Sequence, residues 1–500
     1  MQGDFSRVTF DAARRFSAVL SQQGRVQLDA DINEQTAILL HHLRTLAADI
    51  FGPAAFPAPA DGSSPGGFSV SFAGGTFAVT GGNMYVDGIL CECPKGTDYW
   101  NQPDGHLDPA RDTHKALPEE TFLVYLRVWE RLVTAADVPA IREVALGPHG
   151  PDTAVRTRVV WQLDWMPLTG DFFTDAAGSP FSPVSFLRGR LADRLGPRPR
   201  LEAKAGESRA EDGDRGLPPG PGYRGPENQL YRVEIHRGGP AGTATFKWSR
   251  ENASVALPVL SVNGSVVEVG TLGRDGGLGL DTGDMVEIVD DAVICRTADD
   301  TAPDDDAAPG RTRLYRVTDI DHTARHVFLD AAPAQDPQWP GAGTDPALHP
   351  VLRRWDHRPT EESPNGTAAA AAAAGKSAET ATPTGQAEGG NGALPVVEGT
   401  WLTLEDGIAV RFSPEDPAKP CRYHSGDYWL IPARVVTGDV EWPADPQGNP
   451  LPREPHGTDY HYAPLAVVKP AGAGDAAGTR HTEDLRTAFP QPRPPRPGQA

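Results

Sequence analysis

The sequence predicts a mainly β protein with a short N-terminal α-helix and multiple β-sandwich-like or barrel-like domains. Many short runs alternate apolar and polar residues with period two, which is typical of strands that bury one face. Glycine and proline are abundant, with 54 and 49 residues, and this favours turns over long helices. At 500 residues the chain is too long for one compact core, so we expect several domains.

Residues 1–53 are predicted to form an arm followed by a helix. Asp31 and Glu34 have the D-x-x-E spacing of a capping box at a helix start. Gly52-Pro53 ends the helix. Apolar or near-apolar residues recur between these signals with heptad spacing, at Ile32, Thr36, Leu39, Leu43, Leu46 and Ile50. Two interpretations are open: the helix packs on the chain's own β-domain, or it packs against identical helices or a neighbouring subunit.

Residues 54–194 are predicted to be a first β-rich domain. The run FSVSFAGGTFAVTGGNMYVDGILCEC has the alternation and the Gly-Gly turns of short strands, and Thr121–Val133 alternates cleanly. The following residues, 195–226, are rich in proline, glycine and charge, so we expect a linker there.

Residues 227–486 are predicted to be a second β-rich domain, with hairpin turns at Asn263-Gly264 and Asp406-Gly407. A low-complexity segment, 360–394, interrupts it as a predicted mobile insertion. Residues 487–500 form a proline-rich extended tail. In YRVEIH, alternation places three polar residues on one face, where they form cross-strand ion pairs or meet a partner protein: Arg232, Glu234 and His236.

Composition excludes several classes of partner and compartment. A formal charge of −21 disfavours nucleic acid as a ligand. No apolar window is long enough to span a membrane, and the N-terminus lacks the apolar core of a signal peptide. The four cysteines contain no CxxC pair and fit a reducing compartment; Cys91 and Cys93 share one strand face, so we expect them not to bond each other.

The chain carries no motif for nucleotide binding and no HExxH zinc-protease motif, since GxxxxGK[ST] and HExxH are absent and no GxGxxG lies between a predicted strand and a predicted helix. We therefore expect no enzymatic activity, no catalytic residue, no metal and no cofactor. The best metal candidates are His456 and His461, with His424 and Asp427 nearby, but their spacing matches no recognised ligand set, and turn capping is the simpler interpretation. The acidic residues are interpreted as a solvated rim: Asp281, Asp284, Asp290, Asp291, Asp304, Asp305 and Asp306.

Several motifs resemble a family of uncharacterised domain type that is encoded in gene clusters for phage-tail-like contractile injection systems. They extend over roughly residues 1–165 and 227–470 and are MQGDFSRVTFD, QQGRVQLDADINEQ, AIREVALGPHGPDTAVRTRVVWQ, ENQLYRVEIH, TFKWSREN, LEDGIAVRF and SGDYWLIPARVVTGDVEWP. The second motif also resembles the N-terminal segment of phage baseplate and tail-fibre proteins, where a strand, turn and helix attach the subunit. That likeness is carried by Arg25, Asp31, Asn33, Glu34 and Gln35.

The resemblance implies a non-enzymatic structural subunit, such as a baseplate, spike-surrounding or cage protein. Its partners would be other baseplate or spike proteins and its own copies, in three-fold or six-fold symmetry, through Ile32, Leu39, Leu43, Leu46 and Ile50. It would assemble in the cytoplasm as part of a large particle and leave the cell only with that particle. Two alternatives are open: a glycan-binding or surface-binding module that uses exposed aromatics such as Trp355 or Trp442, and a carboxylate-based cell-wall hydrolase.

Overall fold

The chain folds into two compact units, each described here by itself. The computed structural model describes residues 2–58, 64–73, 75–110, 112, 115–147, 152–168, 182–206, 222–273, 279–296, 313–333, 343–357, 392–416, 418–419, 421–470 and 480–490. The first unit, called the barrel unit, comprises Met1–Val8, Leu132–Arg156 and Leu195–Thr458. The second, called the helix unit, comprises Thr9–Arg131, Thr157–Arg194 and Asp459–Ala500. Strands dominate both units, so the predicted mainly β fold class is confirmed.

The helix unit contains two helices, α1 (Asp29–Phe51) and α2 (Pro183–Leu195). Its strands, numbered along the whole chain, are β1 (Ala54–Ala58), β2 (Val70–Ala73), β3 (Thr76–Val79), β4 (Gly82–Val86), β5 (Ile89–Cys93), β6 (Thr97–Asp98), β7 (Phe122–Val133), β8 (Arg156–Pro167), β23 (His461–Pro470), β24 (Arg480–Asp484) and β25 (Thr487–Pro490). They form sheets of order β25-β1-β4-β5, β2-β3-β6 and β24-β23-β7-β8. Apolar residues on alternate strand positions meet in its core, including Phe77, Met84, Leu126 and Leu465.

The barrel unit contains a short helix, α3 (Asp291–Arg296), and fourteen strands among its described residues. They are β9 (Pro199–Ala205), β10 (Gln229–Arg237), β11 (Thr245–Ser249), β12 (Ala256–Asn263), β13 (Val266–Val269), β14 (Met285–Val289), β15 (Leu314–Asp321), β16 (His326–Leu329), β17 (Val351–Trp355), β18 (Leu394–Pro395), β19 (Leu402–Thr403), β20 (Ile408–Pro414), β21 (Tyr428–Arg434) and β22 (Asp439–Val440). Six strands close a barrel, β12-β13-β16-β15-β14-β17, and the others form sheets of order β18-β11-β10-β21-β22 and β19-β20-β9.

Both predicted hairpin turns are confirmed. Strands β12 and β13 pair from Asn263 to Val266 around Gly264, whose φ is 60°. Strands β19 and β20 pair around Asp406 and Gly407, with φ of 48° and 83°. Positive φ is the conformation that these turn residues adopt most readily. The expectation for Cys91 and Cys93 is also confirmed, since both are free and buried.

The polar face of β10 forms ion pairs inside the barrel unit. Glu234 lies opposite Lys247 of β11, with 3.5 Å between Nζ and Oε1, and also accepts from Arg232 Nε at 2.6 Å. Lys247 Nζ reaches Glu287 of β14 at 2.6 Å. These side chains are at most 4% exposed, so of the two predicted uses, cross-strand pairing is the one that the structure shows.

Two predicted segments contain paired backbone that composition did not indicate. Within 195–226, Pro199–Ala205 forms β9 and pairs with β20 along its whole length, and residues 207–221 lie outside the described residues. Within 487–500, Thr487–Pro490 forms β25 and pairs in parallel with β1. Residues 360–391 of the predicted insertion, Asp304–Asp306 and residues 491–500 of the tail also lie outside the described residues.

Among the described residues, no helix combines the length and apolar character that crossing a bilayer requires. Helix α1 is long enough, with 23 residues, but it contains several charged and polar side chains.

Candidate functional site

Exposed apolar side chains are concentrated at the start of the helix unit. Of the nineteen large apolar side chains that are exposed among the described residues, ten lie between Thr9 and Phe51. They are Phe16, Leu20, Val26, Leu28, Ile32, Leu39, Leu40, Leu43, Leu46 and Ile50. Contiguous exposed apolar surface of this kind marks interaction sites in soluble proteins. This segment is therefore the candidate functional site.

Helix α1 is fixed to its own unit through one face. The Arg44 guanidinium makes a two-pronged ion pair with Glu130 of β7, at 2.8 and 2.9 Å. At the end of the helix, the Phe51 ring stacks on Phe489 with 4.2 Å between centroids. Gly88 after β4 approaches so closely that a Cβ there would lie 2.1 Å from the carbonyl oxygen of Arg44. These contacts hold α1 as a rigid element on the sheet.

The opposite face of α1 carries the predicted heptad residues, here called the ridge: Ile32, Leu39, Leu43, Leu46 and Ile50. Their exposed fractions are 58%, 53%, 61%, 57% and 63%. At 3.6 residues per turn, Ala30, Ile38 and Arg44, which face the unit, lie about 110–170° around the axis from the middle of the ridge. The prediction of packing on the chain's own β-domain thus applies to the opposite face of the helix, and the ridge remains exposed in the described part of the helix unit.

The segment Thr9–Leu28 precedes the helix and is called the arm; it contains a short 3₁₀ helix at Ala12–Arg14 and otherwise forms no helix or strand. Three contacts tie its first half to α1: Thr9 Oγ1 donates to Glu34 Oε2 at 2.7 Å, the Val19 N–H donates to Gln35 Oε1 at 2.7 Å, and the rings of Phe10 and His41 lie 5.7 Å apart. Beyond Val19 the arm turns at Gln22–Arg25, where the Arg25 N–H donates to the Gln22 carbonyl at 3.3 Å. Gly24 permits this turn with a φ of 71°.

The predicted capping box is wrong. Helix α1 begins at Asp29, two residues before Asp31, and its N-cap is Leu28, which makes no side-chain cap hydrogen bond. Glu34 binds the Thr9 hydroxyl instead of the backbone at the helix start. Asp31 therefore lies in the first turn, where a carboxylate stabilises the helix dipole.

The structure brings most of the predicted attachment residues together. Glu34 and Gln35 hold the arm against α1, Arg25 lies at the exposed turn, and Asn33 is exposed beside the ridge. The sequence did not indicate that the arm makes hydrogen bonds to side chains of α1. The signal would be hard to find, because Thr9 and Glu34 are 25 residues apart.

The other candidates from the sequence are held by neighbouring side chains. In the helix unit, His461 Nδ1 lies 2.8 Å from Asp87 Oδ2. In the barrel unit, Arg198 Nη2 donates to Asp427 Oδ1 at 2.5 Å, and the His456 ring packs beside Tyr428. Burial lowers the pKa of His456, which favours the neutral ring. These contacts agree with the interpretation as structural polar residues.

Two further expectations are wrong. Asp284, Asp290 and Asp291 are buried rather than a solvated rim; Asp290, for example, accepts from the Val293 N–H at the start of α3. The indole of Trp355 is 0% exposed, so it is not available to a glycan. Sequence alternation missed both because the aspartates border β14, whose five residues are all buried, and Trp355 ends β17, where four of five residues are buried.

A second charged cluster, which is partly buried, lies in the barrel unit. Arg354 bridges Glu251 and Asp356, at 2.9 and 3.2 Å, and Arg250 pairs with Glu405 at 2.8 Å. Burial raises the pKa of Glu251 to about 7, although the Arg354 guanidinium opposes the shift. The arrangement gives this unit a carboxyl group that titrates near neutral pH.

The fold and the exposed segment define a mainly β protein of two units with a fixed helix that presents an apolar ridge. The chain belongs to a family of unknown function (DUF6519), which it matches over residues 1–170, 181–381 and 382–487. No curated protein matches the chain, and no solved structure matches it.

Proposed function

We propose that this protein is a non-enzymatic structural component of a phage-tail-like contractile injection particle, as a baseplate, spike-surrounding or cage protein. It acts through protein–protein interfaces with other baseplate or spike proteins and with its own copies. Assembly takes place in the cytoplasm, and the protein leaves the cell only with the particle. The observation that carries the proposal is the exposed ridge on a helix that is otherwise fixed.

The ridge has the dimensions of a helix–helix interface. From Ile32 to Ile50 it runs for about 27 Å along α1, at 1.5 Å per residue. Its residues recur three and four apart, the spacing that packs as knobs into the holes of a facing helix. Covering each side chain, now a little over half exposed, gains about 1–2 kcal/mol. Five such residues make exposure in a lone chain costly and coverage by a neighbour favourable.

The flanks of the ridge also suit close packing. Along the middle of the ridge the residues beside it carry no formal charge, since they are Gln35, Thr36, Leu40, His42 and Ala47, and the aspartates Asp29, Asp31 and Asp49 lie at its two ends. In a protein with a net charge of −21, this uncharged middle lets two copies approach without strong repulsion. The resemblance of the strand–turn–helix motif to phage attachment segments supports the same role.

The role in a particle is tested by co-sedimentation. Cells that produce the injection particle would express the protein with an affinity tag, and intact particles would be purified by a tag on the sheath. The proposal expects this chain at a fixed ratio to known baseplate subunits, with electron microscopy showing added density near the spike. Particles of normal shape that lack the chain, in cells where it is abundant, would exclude the proposal.

A further inference from the structure

The arm differs from the ridge because its backbone N–H and C=O groups, as well as its side chains, are exposed. Between Phe16 and Gln27 the described residues give the backbone two hydrogen bonds, from Val19 N–H to Gln35 and from Arg25 N–H to the Gln22 carbonyl. Except for half-buried Val19, every residue of this stretch is exposed. A row of free N–H and C=O groups in an extended chain is a template for strand pairing.

The side chains of the arm follow the pattern of a strand. Phe16, Ala18 and Leu20 occupy alternate positions before the turn, and Val26 and Leu28 do so after it. Residues two apart in an extended chain share one face, so each half of the arm presents an apolar face. Leu20 and Val26 are the most exposed, at 83% and 84%, which shows that their own unit gives them little cover.

The net charge of the arm indicates which kind of surface it binds. From Thr9 to Leu28 the arm has three arginines against one aspartate, a net charge of +2, whereas the whole chain carries −21. The rest of the chain is therefore strongly acidic, and a second copy of the same chain offers an acidic surface to this basic arm. Electrostatic complementarity of this kind steers association and fixes orientation.

We propose that the arm of one copy docks on the acidic surface of a second copy of this chain, with the residues on either side of its turn pairing as strands. The inference goes beyond the proposed particle role, because it requires only two copies of the protein. The three contacts at Thr9, Phe10 and Val19 keep the base of the arm on its own helix, and the exposed turn at Gln22–Arg25, with Leu20 and Val26 on its two sides, reaches the neighbour. The main chain supplies the hydrogen bonds, and the alternating apolar side chains supply specificity.

Photo-cross-linking between differently labelled copies tests this inference. The four native cysteines are buried, so Leu20→Cys creates a single accessible thiol that carries a photoreactive group. This variant would be mixed with isotopically heavy, unmodified protein, irradiated, and digested for mass spectrometry. We expect light peptides that contain the labelled position 20 joined to heavy peptides from acidic segments. Cross-links confined to light chains, or no more numerous than those from Val436→Cys, an exposed control site, would overturn the inference.

Charge-reversal variants test the role of the arm's arginines in the same experiment. Reversing Arg15 and Arg25 to glutamate on the Leu20→Cys background should lower the yield of light–heavy cross-links about tenfold, because attraction becomes repulsion. Arg237→Glu, an exposed arginine on β10, is the matched control and should leave the yield unchanged. An equal yield from the Arg15 and Arg25 variant would overturn the choice of an acidic second copy. Failure of co-sedimentation with particles would not affect either result.

Discussion

The substitution Leu43→Asp gives the most informative perturbation of the ridge. In the isolated chain Leu43 is 61% exposed, so a carboxylate there remains hydrated and costs less than about 0.5 kcal/mol of folding free energy. In an assembled helix seam the same change loses the burial of the leucine, about 1–2 kcal/mol, and buries a charge at a cost of several kcal/mol. The total is about 4–6 kcal/mol for each interface, or roughly a thousandfold or more in affinity.

The assay compares folding and assembly for the same variant. Circular dichroism and thermal melting of purified Leu43→Asp should match the wild type, while its incorporation into purified particles should fall below detection. Leu39→Asp should behave in the same way. Leu146→Asp, at a leucine that is 49% exposed outside the ridge, is the matched control and should still be incorporated.

Two results would refute this reasoning. Normal incorporation of Leu43→Asp would show that the ridge stays in water after assembly. A large fall in the melting temperature would show that Leu43 supports the fold of the lone chain, so loss of incorporation could not be assigned to an interface.

Three further predictions concern residues that affect the stability of the two units. Gly88→Ala should destabilise the helix unit by about 2–4 kcal/mol in chemical denaturation, because a Cβ there meets the Arg44 carbonyl and the φ of 78° disfavours alanine. Lys247→Met should destabilise the barrel unit by about 3–5 kcal/mol, measured in the same way, because the buried Glu287 carboxylate loses a cation at 2.6 Å. Glu251→Gln should remove about 2–3 kcal/mol of pH dependence from stability between about pH 4.5 and 7.

The sign of the pH effect follows from proton binding. The pKa of Glu251 is about 7 in the folded protein and near 4.5 as a free side chain, so the folded state binds more protons in that interval. Stability from this group therefore falls as pH rises through the interval and is constant above it. Relative to wild type, Glu251→Gln should gain stability from low to neutral pH, measured by urea denaturation. Parallel stability curves for the two proteins would contradict the shift.

Matched variants separate the Gly88 and Lys247 effects from general damage. Gly75→Ala places alanine at a φ of 84° with nothing within 4 Å of its Cβ, so it should cost less than Gly88→Ala. If Gly75→Ala and Gly88→Ala destabilise the protein equally, α1 shifts enough to accommodate the Cβ added at position 88. Lys419→Met, at a lysine that is 70% exposed and pairs with an exposed aspartate, Asp416, at 3.6 Å, should change stability by less than about 0.5 kcal/mol. An equally small loss for Lys247→Met would show that the buried ion pairs contribute little.

The parts of the fold that the sequence could predict depend on local patterns. Each of these patterns depends on residues within one element and its flanks: the heptad from Ile32 to Ile50, the two hairpin turns and the alternation in β10. Helix period and turn chemistry act over a few residues, so a single sequence shows them.

The parts that the sequence could not predict depend on distant partners. Glu34 does not form the predicted capping box, since it accepts a hydrogen bond from Thr9, 25 residues earlier in the chain. Trp355 is buried because its indole donates to Glu287 and lies beneath Lys247, on separate strands. The same holds for β9, whose pairing with β20 overrides a proline-rich composition. No local pattern reports such contacts.

The most direct test of the account is a density map of the injection particle at side-chain resolution, with this chain located in it. We expect helical or strand density from a neighbouring polypeptide within van der Waals contact of Leu39, Leu43 and Leu46 in every copy. Solvent along all three leucines, in a particle where the chain is fully occupied, would contradict it.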